Sequence, residues 1–297
     1  MRNQFAVTLE DVGASDGKLV VLLGDISVYL LRNFEQKFPD RFYNIGICEQ
    51  TIISMAAGLS SLGFYPVVHT ITPFTVERCY EQIKIDLCYQ QLGANIISVG
   101  SAFDYPASGC SHHCYEDFAV LRPLPGMEIV FPAGEIEFDT LFKQTYNNGR
   151  TTYFRLPAAK HGIKFDQAQL RLGKGIRVKE GKALTVVVTG PELKNVIEAS
   201  EMLDIEIVYI HTIKPLDTEL IRQSVAKTGN VLTIEEHNVI GGLGDAVAMA
   251  TGDIGNVIQS RLGIEDKFLT NFGSYREHCV ALGLDTAGIK RKIEGLL

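Results

Sequence analysis

The run KLVVLLG over Lys18–Gly24 is apolar at every central position, so an alternating one-sided strand does not fit it, and it is too short for a buried helix. It reads as a strand covered on both faces. Runs of the same kind recur at Arg41–Gly46, Tyr65–Ile71, Asn95–Gly100, Glu128–Phe131 and Thr151–Leu156. Between them lie amphipathic stretches: one reaching about Phe38, then Glu49–Leu62, Pro73–Gln91, Tyr115–Leu121 and Glu135–Tyr146. Strands buried on both faces and separated by helices predict parallel sheets with helices on either side.

The rhythm lapses between Pro157 and Gly181, where Gly162, Gly173 and Gly175 mark a connector. It resumes with strands at Leu184–Thr189, Glu206–Ile210, Val231–Glu235 and Lys267–Phe272. Helices are expected over Pro191–Leu203 and Asp217–Lys227, from near Gly241, and at the end of the chain. The expected architecture is α/β, two doubly wound domains with mainly parallel sheets, at residues 1–170 (connector included) and 171–297. With 46% hydrophobic and 21% charged residues over 297 positions, the chain has the means to bury such cores.

Charge narrows the partners. Lys+Arg 28 against Asp+Glu 35 gives −7 with no basic block, which argues against nucleic acid and anionic membrane. The longest apolar runs, Leu19–Leu23 and Val186–Val188, are far below membrane-spanning length. Glu10 and Asp11 precede any apolar stretch of signal-peptide length, so a cytoplasmic location with reduced thiols is expected. Cys110, His112, His113 and Cys114 crowd into five residues, but no second ligand pair at metal spacing accompanies them. No metal is therefore expected in this chain.

Ligands of open α/β sheets gather beyond the carboxyl ends of the strands, which directs attention to the segments after each run. Glu49 falls at a helix start, where a carboxylate complements the helix dipole. Taken alone, that is all its position requires. Phe74 and its aliphatic neighbours, taken alone, are one helix face.

The ordered series is more specific than its parts. It runs D-R-F-x-N-x-G-I-x-E-Q, A-A-G-L-x-x-x-G, T-x-x-x-F-x-x-x-R-x-Y-E-Q-I, S-H-H, L-R-P-L-P-G-M, F-P-A and E-E-H-N-x-x-G-G-L-G. In that order, from about Leu19 to Gly244, the sequence resembles the C-terminal half of transketolases, in the transketolase-like family of thiamine diphosphate enzymes. The resemblance implies a pyrimidine-binding domain followed by the family's C-terminal domain. The domain that grips the diphosphate and its Mg2+ or Ca2+ is then expected on a companion N-terminal subunit, as in a split transketolase. The expected assembly is two copies of each chain, acting on a sugar or sugar phosphate.

It also implies residue roles. Glu49 matches the glutamate that bonds the aminopyrimidine ring and helps the cofactor lose its thiazolium proton, which is acid–base catalysis. His112 matches a histidine facing the reacting carbons. Cofactor contacts are implied for Asp25, Ile26, Glu49, Ile71, Phe74 and Arg78, with the Phe74 ring packed on the pyrimidine. Substrate contacts are implied for Arg2, Ser108, His113 and Arg155, the last as a phosphate-binding arginine. Ile71 stands where transketolases are often aromatic. Ser108 replaces an acid expected to hold a sugar hydroxyl, and Gly100 replaces an expected histidine; a modified sugar is therefore expected. The Glu235–Gly244 loop is expected to serve packing and dimerisation. Within the same cofactor class, 1-deoxyxylulose-phosphate synthase-like or 2-oxo acid dehydrogenase β-like decarboxylation is the alternative; a non-catalytic partner subunit is another.

Overall fold

The computed structural model describes all residues, 1–297. Twelve strands form two sheets: β1 (Leu19–Leu23), β2 (Phe42–Asn44), β3 (Tyr65–Ile71), β4 (Ala94–Val99), β5 (Glu128–Val130), β6 (Thr151–Leu156), β7 (Ile176–Lys179), β8 (Leu184–Val188), β9 (Ile205–Tyr209), β10 (Thr212–Lys214), β11 (Asn230–Asn238) and β12 (Ile258–Ile264). The first sheet has the order β10-β5-β6-β4-β3-β1-β2 and the second β12-β11-β8-β9-β7. Every pairing is parallel except β10 with β5 and β7 with β9, both at sheet edges. The mainly parallel α/β architecture is therefore as expected.

Central strands bury both faces, which is why they read as unbroken apolar runs: all residues of β1, β4, β6 and β8 are buried. The helix Arg2–Ser15, which the sequence reading did not anticipate, lays Phe5, Leu9 and Val12 on the core. It also meets the helix Glu135–Thr145, where the Thr8 hydroxyl donates to Asp139 at 2.7 Å. No helix is long and apolar enough to cross a membrane.

Three local expectations are corrected. The predicted strand Lys267–Phe272 is irregular, with Phe268 and Phe272 exposed; β12 lies earlier and pairs with β11. The predicted helix Pro73–Gln91 is broken into Thr72–Val76, Tyr80–Gln82 and a π-wound turn over Ile83–Tyr89. The connector is not free of structure either. It holds a 3-10 turn at Gln167–Gln169 with an Asp166 capping box, and then β7 on the edge of β9.

β10 departs furthest from a simple division. It belongs by sequence to the second half, yet it completes the first sheet, with Thr212 opposite Val130.

Candidate active site

β1 ends in a loop with two residues in the left-handed region, Asp25 and Ser27, each at φ 60°. The strain is held by side chains. The Asp25 N–H donates to Asn44 Oδ1 and Asn44 Nδ2 donates back to Asp25 Oδ1, both at 3.1 Å. Below Ser27 lies His69 of β3, wholly buried. Its Nδ1 is 2.8 Å from the Ile97 carbonyl, which can only accept, so Nδ1 carries the proton and Nε2 accepts from the Ser27 hydroxyl at 2.9 Å. Burial pushes His69 down to about 4, so the ring stays neutral near pH 7. Asp25, Ser27, Asn44 and Arg2 line a cavity of about 640 Å3. Ile26 is half-buried and packs inward on the core.

Glu49 is the first residue of the helix Glu49–Ser61 and is only 3% exposed. Arg78, on the turn that interrupts the segment after β3, places Nη1 3.3 and 3.4 Å from its two carboxylate oxygens. The same guanidinium lies 3.9 Å from the centre of the Phe74 ring. Phe74 is presented by the short helix Thr72–Val76, which Pro73 starts directly after β3. Its ring meets His112 edge-on at 5.2 Å, and His112 meets Tyr105 at 6.0 Å. The Tyr105 hydroxyl accepts from Arg2. Glu49, Arg78, Phe74, His112, Tyr105 and Arg2 thus follow one another in an unbroken row along the carboxyl ends of the first sheet.

The row fits an aminopyrimidine. The Arg78 guanidinium between the Glu49 carboxylate and the Phe74 ring shows a flat, polar group accommodated there. Arg78 itself is partly open to solvent, with 44% of its side chain exposed. Glu49 would hold the ring nitrogen, and Phe74 its face. Ile71 lies in the buried cluster on which Phe74 packs.

The remaining expected residues separate. His112 bonds Ser111 through Nδ1 at 3.0 Å and faces the row. His113 points the other way, buried against His278 at 5.7 Å, with neither ring nitrogen bonded. Burial, then His278 and His112, lower its pKa. Ser108 is exposed and leads the turn Gly109–Ser111. Cys110 is exposed while Cys114 is buried, and no three His, Cys, Asp or Glu side chains converge to hold a metal.

Arg155 requires a correction. It is fully buried, with Nε on Ser101 at 2.8 Å, Nη1 on Asp117 at 3.2 Å and Nη2 on the Glu236 carbonyl at 2.8 Å. Phe118 and Phe131 cover its guanidinium. It clamps the second sheet to the first and has no face turned to a substrate. Glu236, on β11, is bonded in turn by Ser101 and Tyr275, each at 2.6 Å. Its neighbour Glu235 fills the amino end of the helix Leu243–Thr251, accepting from Leu243 and Gly244 N–H groups. That glycine-rich loop is already filled by a carboxyl group of this chain, which suits packing.

Sequence reasoning missed Ser27, His69 and Tyr105. Tyr105 had one legible sign, the glycine at position 100. Gly100 has φ +84°, and a Cβ there would overlap the Tyr105 ring.

The signature described as "Transketolase, pyrimidine binding domain" matches residues 1–161, and "Transketolase, C-terminal domain" matches 173–287. One subunit of an apulose-4-phosphate transketolase from Phocaeicola vulgatus is 32% identical, over 97% of this chain and 94% of its own. A 1-deoxy-D-xylulose-5-phosphate synthase from Geobacter sulfurreducens is 31% identical over 99% of this chain, which spans 47% of that longer protein. A solved structure described as "Split gene transketolase, inactive beta4 tetramer" superposes with a TM-score of 0.91 at 31% identity, covering 100% of this chain and 97% of the other.

Proposed function

The chain belongs to the transketolase family, and from that premise we propose that it is the C-terminal subunit of a split transketolase. It moves a two-carbon ketol unit from a ketose to an aldose, using thiamine diphosphate with Mg2+ or Ca2+ held by a companion N-terminal subunit. The assembly is two copies of each chain, because the family's cofactor lies between protomers. The observation that carries the reading is the buried Glu49 carboxylate within reach of a flat cation stacked on Phe74.

The cofactor, when bound, supplies the carbanion chemistry. Glu49 holds a proton at the pyrimidine nitrogen, and the burial that surrounds it excludes competing water. Phe74 fixes the ring plane. His112, kept in line by Phe74 on one side and Tyr105 on the other, faces the reacting carbons and exchanges protons with the sugar oxygens. Arg2 receives the anionic end of the substrate. The substrate is a modified sugar phosphate, a reading motivated by Gly100 and Ser108 and supported by the relative named for apulose 4-phosphate.

Glu49→Gln tests the assignment. In the assembled complex, turnover should fall about 10²–10⁴-fold while the fold persists. Hydrogen–deuterium exchange at the thiazolium carbon reports the affected step, and an unchanged exchange rate would remove Glu49 from it. Calorimetry on this chain alone should show no tight thiamine diphosphate binding; micromolar affinity without a companion would refute the split-site reading.

The match to a 1-deoxy-D-xylulose-5-phosphate synthase favours a second reading, decarboxylating transfer from pyruvate. Carbon dioxide release from pyruvate by the assembled complex would select it.

A further inference from the structure

His112 sits on the segment from Gly109 to Tyr115, and the carboxyl-terminal domain packs against that segment. Backbone bonds shape it locally: the His112 and His113 N–H groups donate to the Gly109 carbonyl at 3.0 and 3.1 Å, and the Cys114 N–H donates to the Ala102 carbonyl at 2.8 Å. Further contacts come from residues 267–282. The Leu269 N–H donates to the Tyr115 hydroxyl at 3.3 Å. The Phe272 ring lies 3.6 Å from where a Cβ on Gly109 would stand. On the helix Tyr275–Leu282, His278 packs edge to face with His113 at 5.7 Å, and Phe103 lies 5.2 Å from both Tyr275 and His278. While His112 faces the row, its neighbour His113 is anchored in the other domain. No hydrogen bond ties that anchor: both His113 ring nitrogens and His278 Nε2 are buried without partners. Burial lowers the pKa of both rings, so they meet uncharged near pH 7. What holds His113 is ring packing, which depends on the shape and place of His278.

We propose that His278 is a positioning residue: through the ring of His113, the helix Tyr275–Leu282 sets where His112 stands in the active site. The carboxyl-terminal domain then contributes to the chemistry without touching substrate or cofactor. Because the two histidines are adjacent in the chain, a shift of the His113 ring carries the His112 backbone with it. A displacement of about 1 Å at a proton-transferring group can cost about 10²-fold in rate. The proposal rests on the proton-exchanging role given to His112 above; its first test does not.

In the full chain without cofactor, the proton on His112 Cε1 reports the loop, and its NMR signal is identified by its loss in His112→Gln. One sharp signal is expected for the wild type and for His278→Phe, which keeps a ring and removes the unpartnered nitrogen. His278→Ala should shift and broaden it, and His113→Ala, which cuts the same contact from the other side, should do the same. In the assembled complex, with xylulose 5-phosphate as donor and ribose 5-phosphate as acceptor, His278→Ala should lower kcat about tenfold or more and leave KM within about twofold. Hydrogen–deuterium exchange at the thiazolium carbon, the step assigned to Glu49, should keep its wild-type rate, and His278→Phe should restore turnover. The variant carrying both His113→Ala and His278→Ala should lose no more than either single one. An unmoved His112 signal in His278→Ala, losses that multiply in the double variant, or exchange and turnover falling together would overturn the proposal. Absence of ketol transfer by the wild-type complex would instead overturn the transketolase reading, and the His112 signal would still decide the positioning.

Discussion

A neutral histidine supports the strained loop after β1. His69 donates from Nδ1 to the Ile97 carbonyl and accepts from Ser27 at Nε2; protonation would reverse the Ser27 bond and put a charge in a wholly buried site. Its pKa is depressed to about 4 by burial, against about 6.5 when unfolded. The unfolded chain therefore binds the proton first as pH falls, and the stability owed to this residue is present above about 6.5 and lost toward 4. His69→Gln should be less stable than wild type at pH 7, and the gap should narrow by about 1.4 kcal/mol per pH unit below 6.5. Urea unfolding of both proteins at pH 7 and 5 measures it; a gap independent of pH would show that His69 titrates normally. Arg155 obeys a different logic. Both its ion-pair partners, Asp117 and Glu236, are fully buried with it, so Arg155→Ala leaves buried charge unmatched. A loss of about 3–5 kcal/mol in unfolding free energy is expected.

Among the elements, the helix Leu243–Thr251 is a case where sequence and geometry meet. Gly242 precedes it because a Cβ there would overlap the Glu235 carboxylate that caps the helix. Glu235→Ala should cost about 1–3 kcal/mol, since it orphans the Leu243 and Gly244 N–H groups. Sugar-phosphate affinity should be unaltered; thermal unfolding and a binding titration check the two halves of this statement. What could be read in advance follows the same division between centre and edge. β1, β4, β6 and β8 announced themselves because both faces are buried. β7, β10 and β12 are edges of mixed polarity, and only their neighbours define them. The KFLTNF segment, by contrast, looked like a strand because of Phe268 and Phe272, both of which face outward. Glu49, Phe74 and His112, expected together from motif spacing, fall into one row with Arg78 between the first two. Arg155 was misplaced because the same residue type serves a phosphate or a buried clamp. Tyr105 depends on the left-handed turn at Gly100, at which the glycine itself was the one hint.

On the scale of the whole molecule, the two sheets share more than a seam. Glu236 locks the second sheet to Ser101 and Arg155, and β10 supplies the last strand of the first. Residues 1–170 expressed alone should therefore self-associate, since β5 would offer an open edge. Light scattering would detect this, and a monodisperse fragment would show the edge to be harmless. There is also an order in time. On the ribosome, Val130 emerges long before Thr212, its partner across the sheet. The first half must wait, with one flank bare, until most of the second has been made. Any exchange of halves between relatives has to carry residues 212–214 with the amino-terminal piece. The break in the chain's rhythm therefore divides the sequence but not the first sheet, whose last strand lies beyond it.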